Sequence, residues 1–152
     1  MKKFGIMVLC WLLFILIVIV GSALYDRFKT SPYDAQAIPY LERILPTLST
    51  WEPEPIRALM APDALENVSD EQFQQTIAIF SRLGRLRSHA KPRFRTLHAE
   101  AGVDDATRTI VEYLVKAEYE SGPAEMVISL VQTDDRFMVY RFNLGAQALL
   151  NK

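Results

Sequence analysis

From Phe4 to Val20 the chain carries no charged side chain, and Met1-Lys2-Lys3 stand directly before that run. A charged start followed by a long apolar middle is the pattern of an export signal, and cleavable signals hold about 7–15 apolar residues there. This run is longer. Continued through Gly21-Ser22-Ala23-Leu24 to Tyr25 it reaches about 20 residues, which at 1.5 Å each spans a hydrocarbon core of roughly 30 Å. A retained transmembrane anchor over residues 1–25 is therefore expected, with cleavage after Ala23 as the competing outcome. Lys2, Lys3 and the terminal amine outweigh Arg27 and Lys29, which keeps the N-terminus inside and sends the remainder out. Cys10, the only cysteine, lies within the run. A lone thiol excludes an intramolecular disulfide and a cysteine-based metal cluster.

Residues 26–33 read as a short juxtamembrane linker, which leaves 34–152 for one exported domain with a single modest core. The net charge of −1 gives no overall bias toward nucleic acid. Ile38, Leu41, Leu45 and Leu48 recur at three- and four-residue steps, so Asp34 to about Leu48 reads as a helix, with Pro46 kinking or ending it. Pro53 to Met60 forms a second short helix stopped by Pro62, and Trp51 packs at the corner between them. Ser69-Asp70-Glu71-Gln72 is a capping box, with Val68 and Phe73 at the staple positions. Phe73, Ile77 and Phe80 mark the buried face of that helix, and Gly84 supplies its left-handed stop.

Beyond Leu86 the apolar period falls to two. Arg93 to Ala99 is a strand, followed by a turn over Gly102 to Ala106. Val111, Tyr113, Val115, Ala117 and Tyr119 share one side of the next strand, with Glu112, Leu114, Lys116 and Glu118 on the other. Ser121-Gly122-Pro123 turns the chain, Glu125 to Thr133 returns it, and Asp134-Asp135 turns it again into Arg136 to Leu144. On that last strand either Met138, Tyr140, Phe142 and Leu144 or the alternate set from Phe137 to Asn143 looks inward. Helices first and hairpins last define an α+β fold, about three helices on a curved antiparallel meander of about four strands.

The capped helix ending in Leu83-Gly84-Arg85-Leu86, the Tyr113–Tyr119 strand, the Ser121-Gly122-Pro123 turn and the Arg136-to-Phe142 stretch together resemble the cystatin-like roll, the nuclear transport factor 2-like superfold. The resemblance is one of pattern over roughly Asp34 to Leu144, and it implies fold far more than function, because this superfold hosts enzymes, adaptors and scaffolds alike. It also implies homodimerisation through the open sheet face, where Leu114 stands among charges. An anchor with such a roll outside the membrane is similar to the bitopic scaffold subunits of bacterial secretion machines.

Enzymes on this roll need an inward Asp, Glu or His beside a Tyr or second carboxylate. The inward set of the best-alternating strand holds none that titrates near neutrality. His98, sharing a face with Phe94 and Thr96, is the one residue to test against Tyr113; His89 lies in a loop-like run without a third ligand at metal spacing. No catalytic, cofactor or metal site is expected. Arg82, Arg85, Arg87, Lys91, Arg93 and Arg95 form a basic stretch with no intervening carboxylate. It is either a solvated face partly paired by Glu112, Glu118 or Glu120, or a docking face for an acidic partner or anionic lipid. Stacking aromatics are too sparse there for nucleic acid. The expected function is a non-catalytic protein-binding subunit of an envelope assembly, anchored in the bacterial inner membrane with its domain in the periplasm. The alternative is an apolar-ligand module whose cone is lined by Tyr113, Tyr119 and Phe142, and an enzyme of the same superfold ranks last.

Overall fold

A computed structural model describes residues 31–66, 68–101, 107–133, 136–146 and 149. The apolar run, the linker up to Thr30 and the turns expected at Gly102–Ala106 and Asp134–Asp135 lie outside the described residues. Among the described residues no helix is long and apolar enough to cross a membrane. Ser31–Lys152 cluster as one compact unit.

Helix α1 (Asp34–Leu48) buries Ala37, Leu41, Ile44, Leu45 and Leu48, so the stripe read from the sequence is completed by Ala37 and Ile44. Pro46 does not end the helix early, because it sits in the last turn; Pro39 and Pro46 both face solvent. Water can there satisfy the carbonyls that proline leaves without a donor. Helix α2 (Pro53–Leu59) carries Pro at its start and buries Ile56. Pro62 then opens rather than closes an element: it begins α3 (Pro62–Leu65), one turn of helix, since proline fits the first helical position, where no N–H is needed. Helix α4 (Asp70–Phe80) has the expected capping box. Ser69 Oγ accepts from the Gln72 amide and Gln72 Oε1 accepts from the Ser69 amide, both at 3.2 Å. Its buried face is Phe73, Ile77 and Phe80. A 3₁₀ turn (Ser81–Leu83) intervenes before Gly84.

Among the described residues the sheet has five antiparallel strands: β1 (Leu86–His89), β2 (Arg93–Ala101), β3 (Thr107–Tyr119), β4 (Gly122–Thr133) and β5 (Arg136–Ala146). β1 and β2 both pair with β3, one after the other along the same edge, and β4 and β5 follow on the other side. The fifth strand arises because the edge strand breaks at Ala90–Pro92, where proline has no N–H for the ladder. The Ala90 amide still reaches the Lys116 carbonyl at 2.8 Å, so the break is local. The β3–β4 turn is tighter than Ser121-Gly122-Pro123 suggests: Tyr119 pairs with Gly122, leaving Glu120 and Ser121 as the loop.

Register irregularities bend the sheet and re-aim side chains. On β5 the ladder skips Tyr140. Before the skip Phe137 and Val139 are buried; after it Leu144 is buried and Phe142 half-buried. Neither alternate set of β5 looks inward along its whole length, because the extra residue exchanges the two faces. On β2 the ladder skips Arg95. Phe94 lies against Tyr113, whereas Thr96 and His98 pair with Glu112 and Ile110 on the outer face. His98 therefore does not share a face with Phe94, and it stands across the sheet from Tyr113.

The main core lies between α1, α2, α4 and the inner face of β3, β4 and β5. Val111, Tyr113, Val115 and Tyr119 of β3 and Met126, Ile128 and Leu130 of β4 are almost wholly buried. A smaller cluster of Ala61, Ile110 and Val131 forms on the outer face, where the chain around α3 passes the β5 edge.

Candidate functional site

Tyr113 and Tyr119 are fully enclosed in the core and their hydroxyls are already engaged. Tyr113 Oη donates to Asp34 Oδ1 at 2.7 Å. Tyr119 Oη lies 3.0 Å from Ser49 Oγ, itself buried. The two tyrosines sit about 20 Å apart along one face of β3 at ~3.3 Å per residue. Helix α1, flanked by those two partners, is about 22 Å long at 1.5 Å per residue. The match in length lets one strand grip both ends of one helix. Asp34 also accepts from the Ser31 amide at 3.0 Å, so its carboxylate holds the helix start and the strand together.

The Asp34–Tyr113 pair is the inward carboxylate beside a tyrosine that the strands alone do not supply: the carboxylate comes from the helix. Neither of the two hollows described below is lined by it. Burial first, and then the neighbouring Asp34 carboxylate, push the Tyr113 phenol above the ordinary tyrosine range; burial does the same for Tyr119. Below about pH 10 both folded and unfolded chains keep these phenols protonated. Above it the unfolded chain ionises while the folded chain resists, so stability falls as pH rises. Tyr113→Phe is expected to lower stability at pH 7 by about 1–2 kcal/mol, leaving Asp34 short of a donor. It should also make the alkaline loss shallower. Urea unfolding of the full-length chain in nonionic detergent between pH 7 and 11 measures both.

Phe142 stands apart from the tyrosines. Its ring packs on Phe80 at 5.7 Å between centroids. It lines an open groove of about 360 Å³ with Met60, Val68, Phe73, Ile77 and the rim residue Arg141. The three expected pocket residues thus do not enclose a common cone. A second open hollow, of about 830 Å³, lies across the lower end of the sheet beside His89, Lys116 and Glu125. Lys116 and Glu125, cross-strand neighbours in its lining, pair at 3.5 Å. Among the described residues no three of His, Cys, Asp and Glu converge as a metal site would require.

The six basic residues all follow one margin of the molecule, from the 3₁₀ turn along the β1–β2 edge, and all six are exposed. Arg87 and Arg95 are the residues skipped by the ladder in β1 and β2. Arg85 is tied at its main-chain amide and its guanidinium to Glu120, at 3.0 and 3.1 Å. These contacts, the amide first, hold the Glu120 carboxyl below its usual range, with Arg87 adding to the effect. Arg95 lies 3.9 Å from Glu112, whose other oxygen accepts from the buried Ser129 hydroxyl. Cations, bulges and Pro92 on an edge strand are the devices that stop sheets from pairing edge to edge. The basic run therefore has a structural use as well as a charge.

No protein-family model matches the chain, and no curated protein matches it. Among solved structures, a designed nuclear transport factor 2-like chain (an Rd1NTF2_05 variant) is similar at 13% identity. The match covers 76% of this chain and 100% of that chain with a TM-score of 0.45. At that distance the likeness carries no information on function, and the architecture above rests on register and packing.

Proposed function

We propose that the chain is a single-pass membrane protein whose exported domain, a cystatin-like roll, binds another protein without catalysis. In this reading it is an accessory or structural subunit of a bacterial envelope assembly, anchored in the inner membrane with the domain in the periplasm. The observation that carries the reading is the interior. The inner face of the sheet is filled by the chain's own side chains, and both interior tyrosine hydroxyls serve as clamps. Recognition is then left to the exterior, where the basic margin exposes six cations. The anchor and topology rest on the uncharged run and its flanking lysines.

The enzyme reading gains one observation, the Asp34–Tyr113 contact, and is tested by a separate turnover measurement. Full-length protein is cross-linked in membranes and recovered beside a variant carrying Arg87→Glu, Lys91→Glu and Arg93→Glu, which leaves the Arg85–Glu120 tie intact. The expected result is a stoichiometric protein partner lost in the variant. A partner retained in equal amount would remove the basic margin as the docking face. Substrate turnover abolished by Asp34→Asn, with far-ultraviolet circular dichroism and urea midpoint unchanged, would replace this reading with the enzyme.

A further inference from the structure

The other margin of the sheet, β5, is where the chain shows how it accepts an extended segment. Met60 forms an isolated parallel bridge with Val139, and the Ala61 amide donates to the Val139 carbonyl at 2.8 Å. The chain then turns away into α3, and among the described residues no strand follows β5 past this point. Further along, the Leu144 amide is taken by Asn143 Oδ1 at 2.9 Å, a side chain standing in where a neighbouring strand would accept. Main-chain groups alternate in direction along a strand, so Phe142 directs its N–H and C=O to the same open side as Leu144.

Directly beside this bare stretch lies the groove of about 360 Å³, with Phe73, Ile77 and Phe142 at its base and Val68, 38% exposed, at its rim. Arg141 is exposed at the mouth. Its guanidinium lies 5.8 Å from the centroid of the neighbouring Tyr140 ring, and no carboxylate among the described residues pairs with it. An open edge, a hollow sized for one or two apolar side chains and a cation at the rim together define an occupant.

We propose that β5 binds an extended segment of a partner polypeptide by strand addition, with one apolar side chain in the groove and an adjacent carboxylate on Arg141. Strand addition draws affinity from main-chain bonds and selectivity from a pocket for alternate side chains, and both are laid out here. Free peptide must lose chain entropy on binding, so affinity in the micromolar range is expected. This site is on the opposite margin from the basic face and stands or falls independently of it.

The test uses the full-length protein in nonionic detergent and a fluorescein-labelled peptide of alternating isoleucine and threonine containing one glutamate. Saturable binding is expected, weakened about tenfold by Arg141→Glu and by Thr76→Trp, which crowds the groove from an exposed helix position. The glutamine version of the peptide should bind wild type and Arg141→Glu alike. The triple basic-margin variant should bind the peptide as wild type does, whatever the pulldown shows. Absence of saturable binding at about 1 mM peptide overturns the proposal. So does equal binding by wild type and both groove variants.

Discussion

Trp51→Ala is expected to destabilise the domain by about 3 kcal/mol, at the low end of the range for removing a packed tryptophan. The indole is half-buried at the corner between α1 and α2, with ring centroids 5.5 Å from Tyr119 and 6.3 Å from Phe80. Its Nε1–H donates to the Gly84 carbonyl at 2.7 Å. Trp51 also has φ of 60°, a left-handed conformation that costs a non-glycine residue roughly 1–2 kcal/mol. The contacts hold it there against that strain. Alanine would keep the strain and lose every contact. Trp51→Phe retains most of the ring packing and forfeits only the hydrogen bond, so its loss should be about 1 kcal/mol. Urea unfolding followed by far-ultraviolet circular dichroism measures both, independently of the lost fluorophore. A deficit under about 1 kcal/mol for Trp51→Ala would mean that the corner is held by the helices alone.

The second large effect is at the residue Trp51 reaches. Gly84→Ala is expected to cost about 2–3 kcal/mol, the scale of a residue forced into glycine-only backbone space. Gly84 has φ 74° and ψ −158°, outside even the left-handed helical region. A methyl group there would stand 2.6 Å from Glu120 Oε2 and 2.9 Å from Glu120 Cβ. The glycine lies where three segments meet: the Ser121 amide donates to the Leu83 carbonyl and the Glu120 amide to the Arg85 carbonyl, pinning the β3–β4 turn onto the chain that leaves α4. In a Glu120→Ala background the carboxylate contact disappears, but the backbone strain and the Cβ contact remain. Most of the Gly84→Ala deficit should therefore persist there. If it vanished, carboxylate crowding rather than φ would be the cause. Glu120→Ala alone gives up a solvent-screened pair and should cost little beside Gly84→Ala.

Local chemistry made much of the fold legible in advance. The capping box at Ser69 and Gln72 needs only residues three apart, and the alternation of β3 needs only its own composition. The stripe of α1 is likewise periodic, so each of these could be read from a short window. The bulges on β2 and β5 could not. An extra residue at Arg95 or Tyr140 changes no composition, yet it moves His98 to the outer face and exchanges the faces of β5 at Phe142. Whether a strand bulges depends on the pairing strand, which lies elsewhere in the chain. The Asp34–Tyr113 pair was hidden for the same reason, since its members are 79 residues apart. Asp34 reads in sequence as nothing more than a helix start, although equal lengths of α1 and the Tyr113–Tyr119 stretch would have been a signal.

What the chain alone determined is whatever a few neighbouring residues decide: an uncharged N-terminal run of bilayer-spanning length, the capping box at Ser69 and Gln72, the strand periods, the α+β order and the basic stretch from Arg82 to Arg95. Tertiary structure alone decided which surfaces remain for function. It committed Tyr113 and Tyr119 to clamping α1, tied Arg85 to Glu120, and left the β5 edge without a further strand among the described residues, beside the groove that Arg141 lines. Those outcomes depend on contacts between distant segments. The free energy of such contacts belongs to the pair and is written in neither partner by itself.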